Sequence, residues 1–145
     1  MDLKLTAAEV EGFLAEVFPE VAARFSITAL EPMRLTCRME VTEADLRPGK
    51  TVSGPTMFTA ADCAFYMVTL AMIGREALTV TTSCTINFMR KPGLGALTAE
   101  ARILKLGRSL CVGDVLIFSG GADAPVAQAS LTYAIPPRPS NIGVK

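Results

Sequence analysis

Apolar residues near the start of the chain recur at helical spacing. They are Val10, Phe13, Leu14 and Val17. This periodicity predicts an amphipathic helix, and the capping-box spacing of Thr6 and Glu9 predicts its first turn. Pro19 ends or bends the helix, after which a further turn can follow. We therefore expect a helical segment within residues 1–24.

Strict alternation of apolar and polar residues then replaces the helical spacing. In residues 34–41 the apolar positions are Leu35, Cys37, Met39 and Val41. This period of two predicts a half-buried strand. Residues 25–30 are its expected hairpin partner, with the turn at Glu31 and Pro32. Four more strand candidates follow, at residues 78–89, 97–106, 110–119 and 126–135.

Between the two groups of strands lies the apolar stretch TVSGPTMFTAADCAFYMVTLAMIG, residues 51–74. It predicts a helix from Thr56 to about Ile73, with Ser53 or Gly54 in the cap region and Gly74 as the stop. A membrane span is the alternative, but the apolar part is at the short limit for one and contains a charge. We therefore expect a helix buried in the core of the protein.

The order of elements is a helix, two strands, one long apolar helix and four strands. A helix that is apolar nearly all round needs cover on all sides. The economical packing is an antiparallel sheet curled around it, in an α+β single domain over residues 1–145. The Pro-rich and Gly-containing end, residues 137–145, is expected to be mobile.

Composition narrows the class of protein. The formal net charge is zero and the pI is near 6.3, which argues against a protein whose bulk charge binds nucleic acid or a membrane surface. Half of the residues are apolar, more than an isolated small domain needs. We therefore expect a homo-oligomer that buries part of this surface.

Cysteine and histidine usage limits the chemistry. The cysteines are scattered, at Cys37, Cys63, Cys84 and Cys111, and the chain contains no histidine. We therefore expect no metal site, because Cys-only sites usually contain close pairs. Buried free thiols in a reducing cytoplasm are the favoured interpretation. Catalysis that depends on an imidazole base is excluded.

Asp62 is the only charged residue between Lys50 and Arg75. At helical spacing it shares a polar stripe with Thr59, Tyr66 and Thr69. A buried carboxylate is unfavourable unless it is paired or used. Two interpretations remain open: a catalytic carboxylate, or a structural one that is hydrogen-bonded at a dimer interface.

The order of elements and the residues at their joints resemble the hotdog-fold thioesterases of the PaaI-like branch. In that family a loop with Asn, Gly and His precedes a helix whose acid lies nine residues beyond the His. Here the loop is RPGKTVSGP, and Asp62 lies nine residues after Ser53. The strands LTVTTSCTINFMRKP, LTAEARILKLGRSLCVGDV and VAQASLTYAI are similar to later segments of the family. The resemblance covers roughly residues 25–136.

Three positions depart from the family pattern. Ser53 stands where the family usually has His, Pro55 replaces the second Gly, and Arg47 falls at the usual Asn position. The acid on the helix is kept as Asp62. The resemblance implies a hotdog fold: a curved antiparallel sheet wrapped around one long buried helix, with an extra N-terminal helix.

The resemblance also implies an activity, the hydrolysis of an acyl-CoA thioester without a cofactor. The Gly54 N–H would polarise the thioester carbonyl, and Asp62 would act as general base or nucleophile. Thr81 would help to hold the water, unless it is an ordinary strand residue. Ser53 would replace the His as a hydrogen-bond partner, although a helix cap is the favoured interpretation. In relatives the two contributions come from different subunits of a dimer.

For the CoA part of the substrate, the sequence offers basic residues that suit phosphate groups. The expected contact residues are Arg47, Pro55, Arg90, Lys91, Lys105, Gly107, Arg108 and Ser109. The alternative is a strand edge kept soluble by Lys and Arg. Candidates for the wall of the acyl pocket are Met57, Phe58, Phe65, Met67 and Met89.

The alternative to hydrolysis is a non-catalytic acyl-CoA or fatty-acyl binding protein, because the usual His and Asn are missing. A hotdog dehydratase is set aside, since those relatives pair the acid with a His. The expected assembly is a homotetramer built as a dimer of dimers, located in the cytoplasm, with neither nucleic acid nor a membrane as partner.

Overall fold

The computed structural model describes residues 1–137, and the structural statements below concern those residues. Apart from Pro137, the segment predicted to be a mobile tail lies outside the described residues. The helices are α1 (Ala7–Val17), α2 (Pro19–Ala22) and α3 (Gly54–Ile73). The strands are β1 (Phe25–Glu31), β2 (Arg34–Met39), β3 (Leu46–Arg47), β4 (Thr51–Val52), β5 (Val80–Phe88), β6 (Leu97–Leu106), β7 (Leu110–Ser119) and β8 (Ala127–Ala134).

Six strands form one antiparallel sheet in the order β1-β2-β6-β7-β8-β5. The sheet packs on α3, which contacts β2, β5, β6, β7 and β8. Fifteen of the twenty residues of α3 are buried, so the helix is covered nearly all round. The predicted α+β hotdog fold is therefore confirmed. In this order β5 lies at an edge of the sheet, beside β8.

Local signals place the ends of the helices. At α1 the Thr6 hydroxyl accepts from Glu9 N at 3.2 Å, and Thr6 N donates to the Glu9 carboxylate at 2.9 Å. The predicted capping box is therefore present. At α3, Ser53 is the N-cap, and Gly74 ends the helix with a φ of 102°, a backbone conformation that favours glycine.

The four long strand candidates form within two residues of their predicted bounds. The segment before α3, which was predicted to be a loop because of its Pro and Gly content, contains a 3-10 turn at Glu43–Asp45 and the small β3–β4 ladder. The 3-10 turn, β3 and β4 are too short for a periodic apolar pattern, so periodicity could not reveal them. β2 ends at Met39, two residues before the predicted end.

The contact between α3 and the sheet depends on a glycine of β7. A Cβ placed at Gly113 would collide with the carbonyl oxygen of Arg102 and with the ring of Phe65. Gly113 therefore lets the fully buried Phe65 ring press against the sheet. This is the close approach for which a strand glycine is suited.

By length and hydropathy, α3 would also qualify as a membrane span. In the fold, however, 83% of its apolar window is buried by the rest of the chain. This burial is what the core helix of a packed domain shows, as expected from the sequence.

Candidate active site

Asp62 lies near the middle of α3 and is half-buried. Two hydroxyl groups approach the same carboxylate oxygen, Oδ1. Thr81 Oγ1 donates to it at 2.6 Å, and the Tyr133 hydroxyl lies 2.6 Å from it. The Tyr133 hydroxyl also lies 2.7 Å from the backbone carbonyl oxygen of Asp62. Within residues 1–137 the other oxygen, Oδ2, has no recorded hydrogen-bond partner, so it is free to meet a ligand.

The register of the sheet brings these hydroxyls together. Thr81 on β5 is paired directly with Tyr133 on β8, so both side chains leave the same face of the sheet. That face packs on α3. The resemblance implied that Thr81 helps to hold the water; in the structure its hydroxyl donates to Asp62, and the role towards water stays a prediction. For Tyr133 the sequence indicated only a position in the strand candidate at residues 126–135.

Burial raises the pKa of Tyr133 above its ordinary value, and the negative charge of Asp62 raises it further. Its ring is only 2% exposed, at 5.4 Å from the Phe65 ring and 6.2 Å from the Tyr66 ring. Tyr133 therefore keeps its proton at neutral pH and serves Asp62 as a donor.

A cavity of about 390 Å³ opens beside the carboxylate. Its walls come from the end of α1, the junction between α1 and α2, α3, the segment before β5, β5 and β8. The lining residues are Val17, Phe18, Asp62, Cys63, Tyr66, Ala77, Leu78, Thr79, Val80, Thr81 and Tyr133. Most of them are apolar, and Asp62 is the only charged one. The cavity therefore suits an apolar group placed next to a reactive carboxylate.

The thiols near Asp62 are poor nucleophiles. Burial raises the pKa of Cys63 to about 12, with a further contribution from the charge of Asp62. The pKa of Cys84 is raised by the same two causes, burial first. Since the thiolate is the reactive form of cysteine, both groups stay unreactive at neutral pH. Cys84 is only half-buried, whereas the other three cysteines are buried as predicted, and all four are free.

The N-terminus of α3 is the second part of the predicted site. Ser53 Oγ accepts from Thr56 N at 3.3 Å, which confirms its predicted role as helix cap. Gly54 N–H has no recorded acceptor in the described part of the chain. A Cβ at Gly54 would lie 3.3 Å from the ring of Phe88, so the aromatic ring covers this backbone closely.

Within one chain, Gly54 and Asp62 do not meet. They lie about 12 Å apart along the axis of α3, from the rise of about 1.5 Å per residue. Gly54 lies beside Phe88 at the last residue of β5, whereas Asp62 lies beside Thr81 near the first. A single carbonyl group of one substrate therefore cannot contact both residues of the same chain.

A buried ionic network supports the start of α3. Asp45 Oδ2 accepts from Arg24 Nη2 at 2.6 Å, and Asp45 Oδ1 accepts from Thr56 Oγ1 at 3.0 Å. The Asp45 carbonyl oxygen accepts from Ser53 N at 2.8 Å. Burial acts to raise the pKa of Asp45, but hydrogen bonds from Thr42, Arg24 and Thr56 outweigh it, and the pKa is lowered. No motif in the sequence marks the residues of this network.

The predicted CoA-contact residues separate into two groups at opposite ends of the sheet. Val80 pairs with Ala134, which also pairs with Leu110 beside the β6–β7 turn. At that end lie Lys105, Gly107, Arg108 and Ser109. At the opposite end, beyond the last residue of β5, lie Arg90 and Lys91, and Pro55 lies in the same region, in a groove with Phe88.

Two of these predicted residues have structural surroundings of their own. Arg90 Nη1 donates to the carbonyl oxygen of Pro125 at 2.7 Å. Arg47 is exposed and pairs with Thr51 in the β3–β4 ladder. Arg108, Ser109 and Gly107 line another cavity, of about 740 Å³, together with Lys4 and the C-terminal end of α3.

Two further expectations require correction. The polar stripe on α3 does not form a continuous polar surface, because Thr59 Oγ1 and Thr69 Oγ1 donate to carbonyl oxygens of their own helix, those of Pro55 and Phe65. The predicted pocket wall is also different. Phe65, Met67 and Met57 are buried in the core, and neither Phe58 nor Met89 lines the cavity at Asp62.

The comparison with protein families decides the assignment. The sequence pattern of the thioesterase superfamily matches residues 49–126, more than half of the chain. The chain belongs to the thioesterase superfamily. The matched range includes α3 with Asp62, as well as β5, β6 and β7, but neither the N-terminal helices nor β8 with Tyr133.

Solved structures support the assignment of this thioesterase-superfamily protein. A provisionally assigned thioesterase from Silicibacter sp. TM1040 is 51% identical, with a TM-score of 0.87 over 94% of this chain and 96% of that one. A variant of the phenylacetic acid degradation protein PaaI from Thermus thermophilus is 22% identical, with a TM-score of 0.66 over 86% and 98%. A Streptococcus mutans protein solved with bound acetyl-CoA is 24% identical, with a TM-score of 0.68 over 77% and 88%.

A search of curated proteins found no match. The hotdog fold and the PaaI-like relationship inferred from the loop and α3 are thus confirmed, whereas the individual site residues stay predictions. In residues 1–137, no three potential metal ligands cluster together.

Proposed function

We propose that this protein hydrolyses an acyl-CoA thioester to a free acid and CoA, with Asp62 as the catalytic carboxylate. The observation that carries the proposal is the setting of Asp62. One of its oxygens is held by Thr81 and Tyr133, the other is free, and an apolar cavity adjoins it. A structural carboxylate would have both oxygens satisfied in the fold, as Asp45 has.

The reaction can run by either of two routes through Oδ2. As general base, Asp62 takes a proton from water while the water oxygen bonds to the carbonyl carbon. The C–S bond then breaks, and the leaving thiolate takes the proton back from Asp62. As nucleophile, Oδ2 itself bonds to the carbonyl carbon and displaces the thiolate, which takes a proton from water. The hydroxide that this leaves attacks the anhydride formed between Asp62 and the acyl group, which releases the acid and restores the Asp62 carboxylate.

The negative charge that develops on the carbonyl oxygen needs donors. The free N–H of Gly54, at the positive end of the α3 dipole, is suited to this role. Because Gly54 and Asp62 of one chain lie too far apart, the donor in the complete site is the partner subunit's Gly54. The proposed enzyme is therefore at least a homodimer.

The edge strand β5 offers the surface for this dimer. Within residues 1–137 its outer edge pairs with no other strand, and Val80 and Phe88 at its ends are 53% and 52% exposed. An antiparallel pairing of two β5 strands would place the Phe88 end of one strand beside the Val80 end of the other. Such a pairing brings the partner subunit's Gly54 towards Asp62 and continues the sheet across the interface.

The same pairing would unite the two separated basic groups. Lys105 and Arg108 lie at the Val80 end of β5, and the partner subunit's Arg90 and Lys91 would lie at the adjacent Phe88 end. Arg and Lys suit the phosphate groups of CoA. The Streptococcus mutans relative with bound acetyl-CoA supports the choice of ligand class. The proposed location is the cytoplasm, because four free cysteines are typical of proteins in a reducing compartment.

Thiol release from a panel of acyl-CoA thioesters, from acetyl to long-chain and aryl-acetyl, tests the proposal. We expect turnover by the wild-type protein and a loss of at least about 100-fold in kcat/KM for Asp62→Asn, which removes the base but keeps the shape. The matched control is Asp114→Asn, the same chemical change at a different carboxylate. Asp114 lies on β7 and forms an ion pair with Arg102 on β6, so this variant should keep wild-type turnover. Equal turnover by Asp62→Asn and wild type would exclude the role of Asp62.

A non-catalytic acyl-CoA binding protein is the second candidate. The observation that favours it is the use of Ser53 Oγ as a helix cap, since Ser53 replaces the His of the family pattern and cannot supply a proton as an acid. Calorimetric binding of an acyl-CoA without any thiol release would select this function over hydrolysis.

A further inference from the structure

Tyr133 contacts Asp62 at two atoms, yet it lies on β8, outside the range that matches the family pattern. Its hydroxyl carries a single proton, which faces two acceptors of the same residue: the backbone carbonyl oxygen of Asp62 at 2.7 Å and its Oδ1 at 2.6 Å. One side chain thus contacts both the helix backbone and the carboxylate of Asp62.

We propose that Tyr133 is a positioning residue that fixes the Asp62 carboxylate, holding Oδ1 so that Oδ2 is the oxygen presented to substrate. This inference rests on the proposed function, in which Asp62 is the catalytic base or nucleophile. A carboxylate on a helix can otherwise rotate about its side-chain bonds, and catalytic efficiency depends on holding the reacting atom in place.

The two donors to Oδ1 differ in how firmly the fold holds them. Within one chain Thr81 is half-buried, whereas Tyr133 is only 2% exposed. The Tyr133 ring also contacts the rings of Phe65 and Tyr66. Tyr133 is therefore the better-fixed reference for the carboxylate, and Thr81 adds a second donor at the same oxygen.

Burial raises the pKa of Tyr133, so the phenol keeps its proton and stays a hydrogen-bond donor to Asp62 at neutral pH.

The variant Tyr133→Phe removes the donor and keeps the ring. We expect kcat to fall about 10-fold with little change in KM, because a donor to a charged group is lost while the contacts with substrate stay. Thr81→Val should also lower kcat at unchanged KM. An unchanged kcat in Tyr133→Phe, or a loss that appears in KM rather than in kcat, would overturn the positioning role.

A second readout does not depend on activity. In protein labelled with [¹³C]aspartate, the signal missing from Asp62→Asn identifies the Asp62 carboxyl. Its chemical shift at pH 7 should change in Tyr133→Phe, which removes a hydrogen bond to Oδ1, and stay close to the wild-type value in Tyr66→Phe, which removes a phenol that donates to Ala77 instead. An unchanged chemical shift in Tyr133→Phe would refute the inference. Absence of thiol release by the wild-type protein would instead refute the proposed function.

Discussion

Two carboxylates of this protein have opposite surroundings. Asp45 has hydrogen bonds to both oxygens, from Arg24, Thr42 and Thr56, whereas Asp62 has donors at one oxygen only. Saturated hydrogen bonding is what a buried structural charge requires. Asp45 therefore belongs to the support of the α3 N-terminus, and Asp62 retains an oxygen for chemistry.

The substitution Asp45→Asn should lower the free energy of unfolding by about 2 kcal/mol, since hydrogen bonds to a charged group are lost from a buried position. The lowered pKa of Asp45 also fixes the pH dependence. Its contribution is complete above the ordinary Asp pKa near 3.8 and is lost as the pH falls through the lower value of the folded state. Chemical denaturation at pH 7 and at lower pH measures both effects.

The matched control is Glu40→Gln, because the Arg38–Glu40 pair is exposed on both sides. Exposed ion pairs contribute little, so this variant should lose less than about 0.5 kcal/mol. Equal losses for Asp45→Asn and Glu40→Gln at pH 7 would show that the Asp45 network does not stabilise the start of α3.

The N-terminal helical segment contributes to the cavity beside Asp62. Val17 at the end of α1 and Phe18 between α1 and α2 line the cavity beside Asp62, although they lie outside the range matched by the superfamily. Phe18 is 43% exposed, so its side chain is held loosely enough to be changed without damage to the core. We infer that this segment sets the size of the acyl group.

Phe18→Ala should therefore enlarge the acyl site at little cost in stability. We expect kcat/KM for long or branched acyl groups to rise relative to that for short ones by about 10-fold, the range that differences in apolar contact produce. The measurement is the ratio of kcat/KM values across an acyl-CoA series. Leu104→Ala, which truncates an exposed Leu on β6, should leave the ratio unchanged. If Phe18→Ala and wild type gave the same ratio, Phe18 would not be part of the wall that limits the size of the acyl group.

At the scale of the whole molecule, the proposed site is complete only if two chains combine. The proposed antiparallel β5–β5 pairing would account for three features at once. They are the separation of Gly54 from Asp62 along α3, the separation of the two basic groups along the sheet, and the exposed edge of β5. Each of these features alone would be an ordinary property of a small sheet protein.

A charge near the middle of β5 should prevent this pairing. In Thr85→Lys, the two lysines would lie close together across the two-fold axis, and like charges placed opposite one another destabilise strand pairing. We expect sedimentation equilibrium to show dissociation to monomers, with loss of thiol release in parallel. Ser26→Lys on β1, the opposite edge of the sheet, should stay assembled and active. A monomeric Thr85→Lys with full turnover would contradict the shared site.

The sequence contained the signals for the elements and for the central carboxylate. The capping box at Thr6, the cap at Ser53, the stop at Gly74 and the strand alternation are all short-range features, because each depends on residues within a few positions of one another. Asp62 was identifiable from its contrast with the apolar residues around it, and the spacing from Ser53 to Asp62 pointed to the family.

Only the tertiary structure decided which groups surround that carboxylate. Tyr133 lies 71 positions from Asp62 along the chain, and Phe18 reaches the cavity from a separate element. The strand order, with β5 placed beside β8, and the pairing of Thr81 with Tyr133 bring these residues together. Strand order and register depend on the packing of the whole sheet on α3, which no local pattern encodes. For this physical reason the sequence by itself determined the helices, the long strands and the isolated charge of Asp62, and the fold determined which residues surround Asp62.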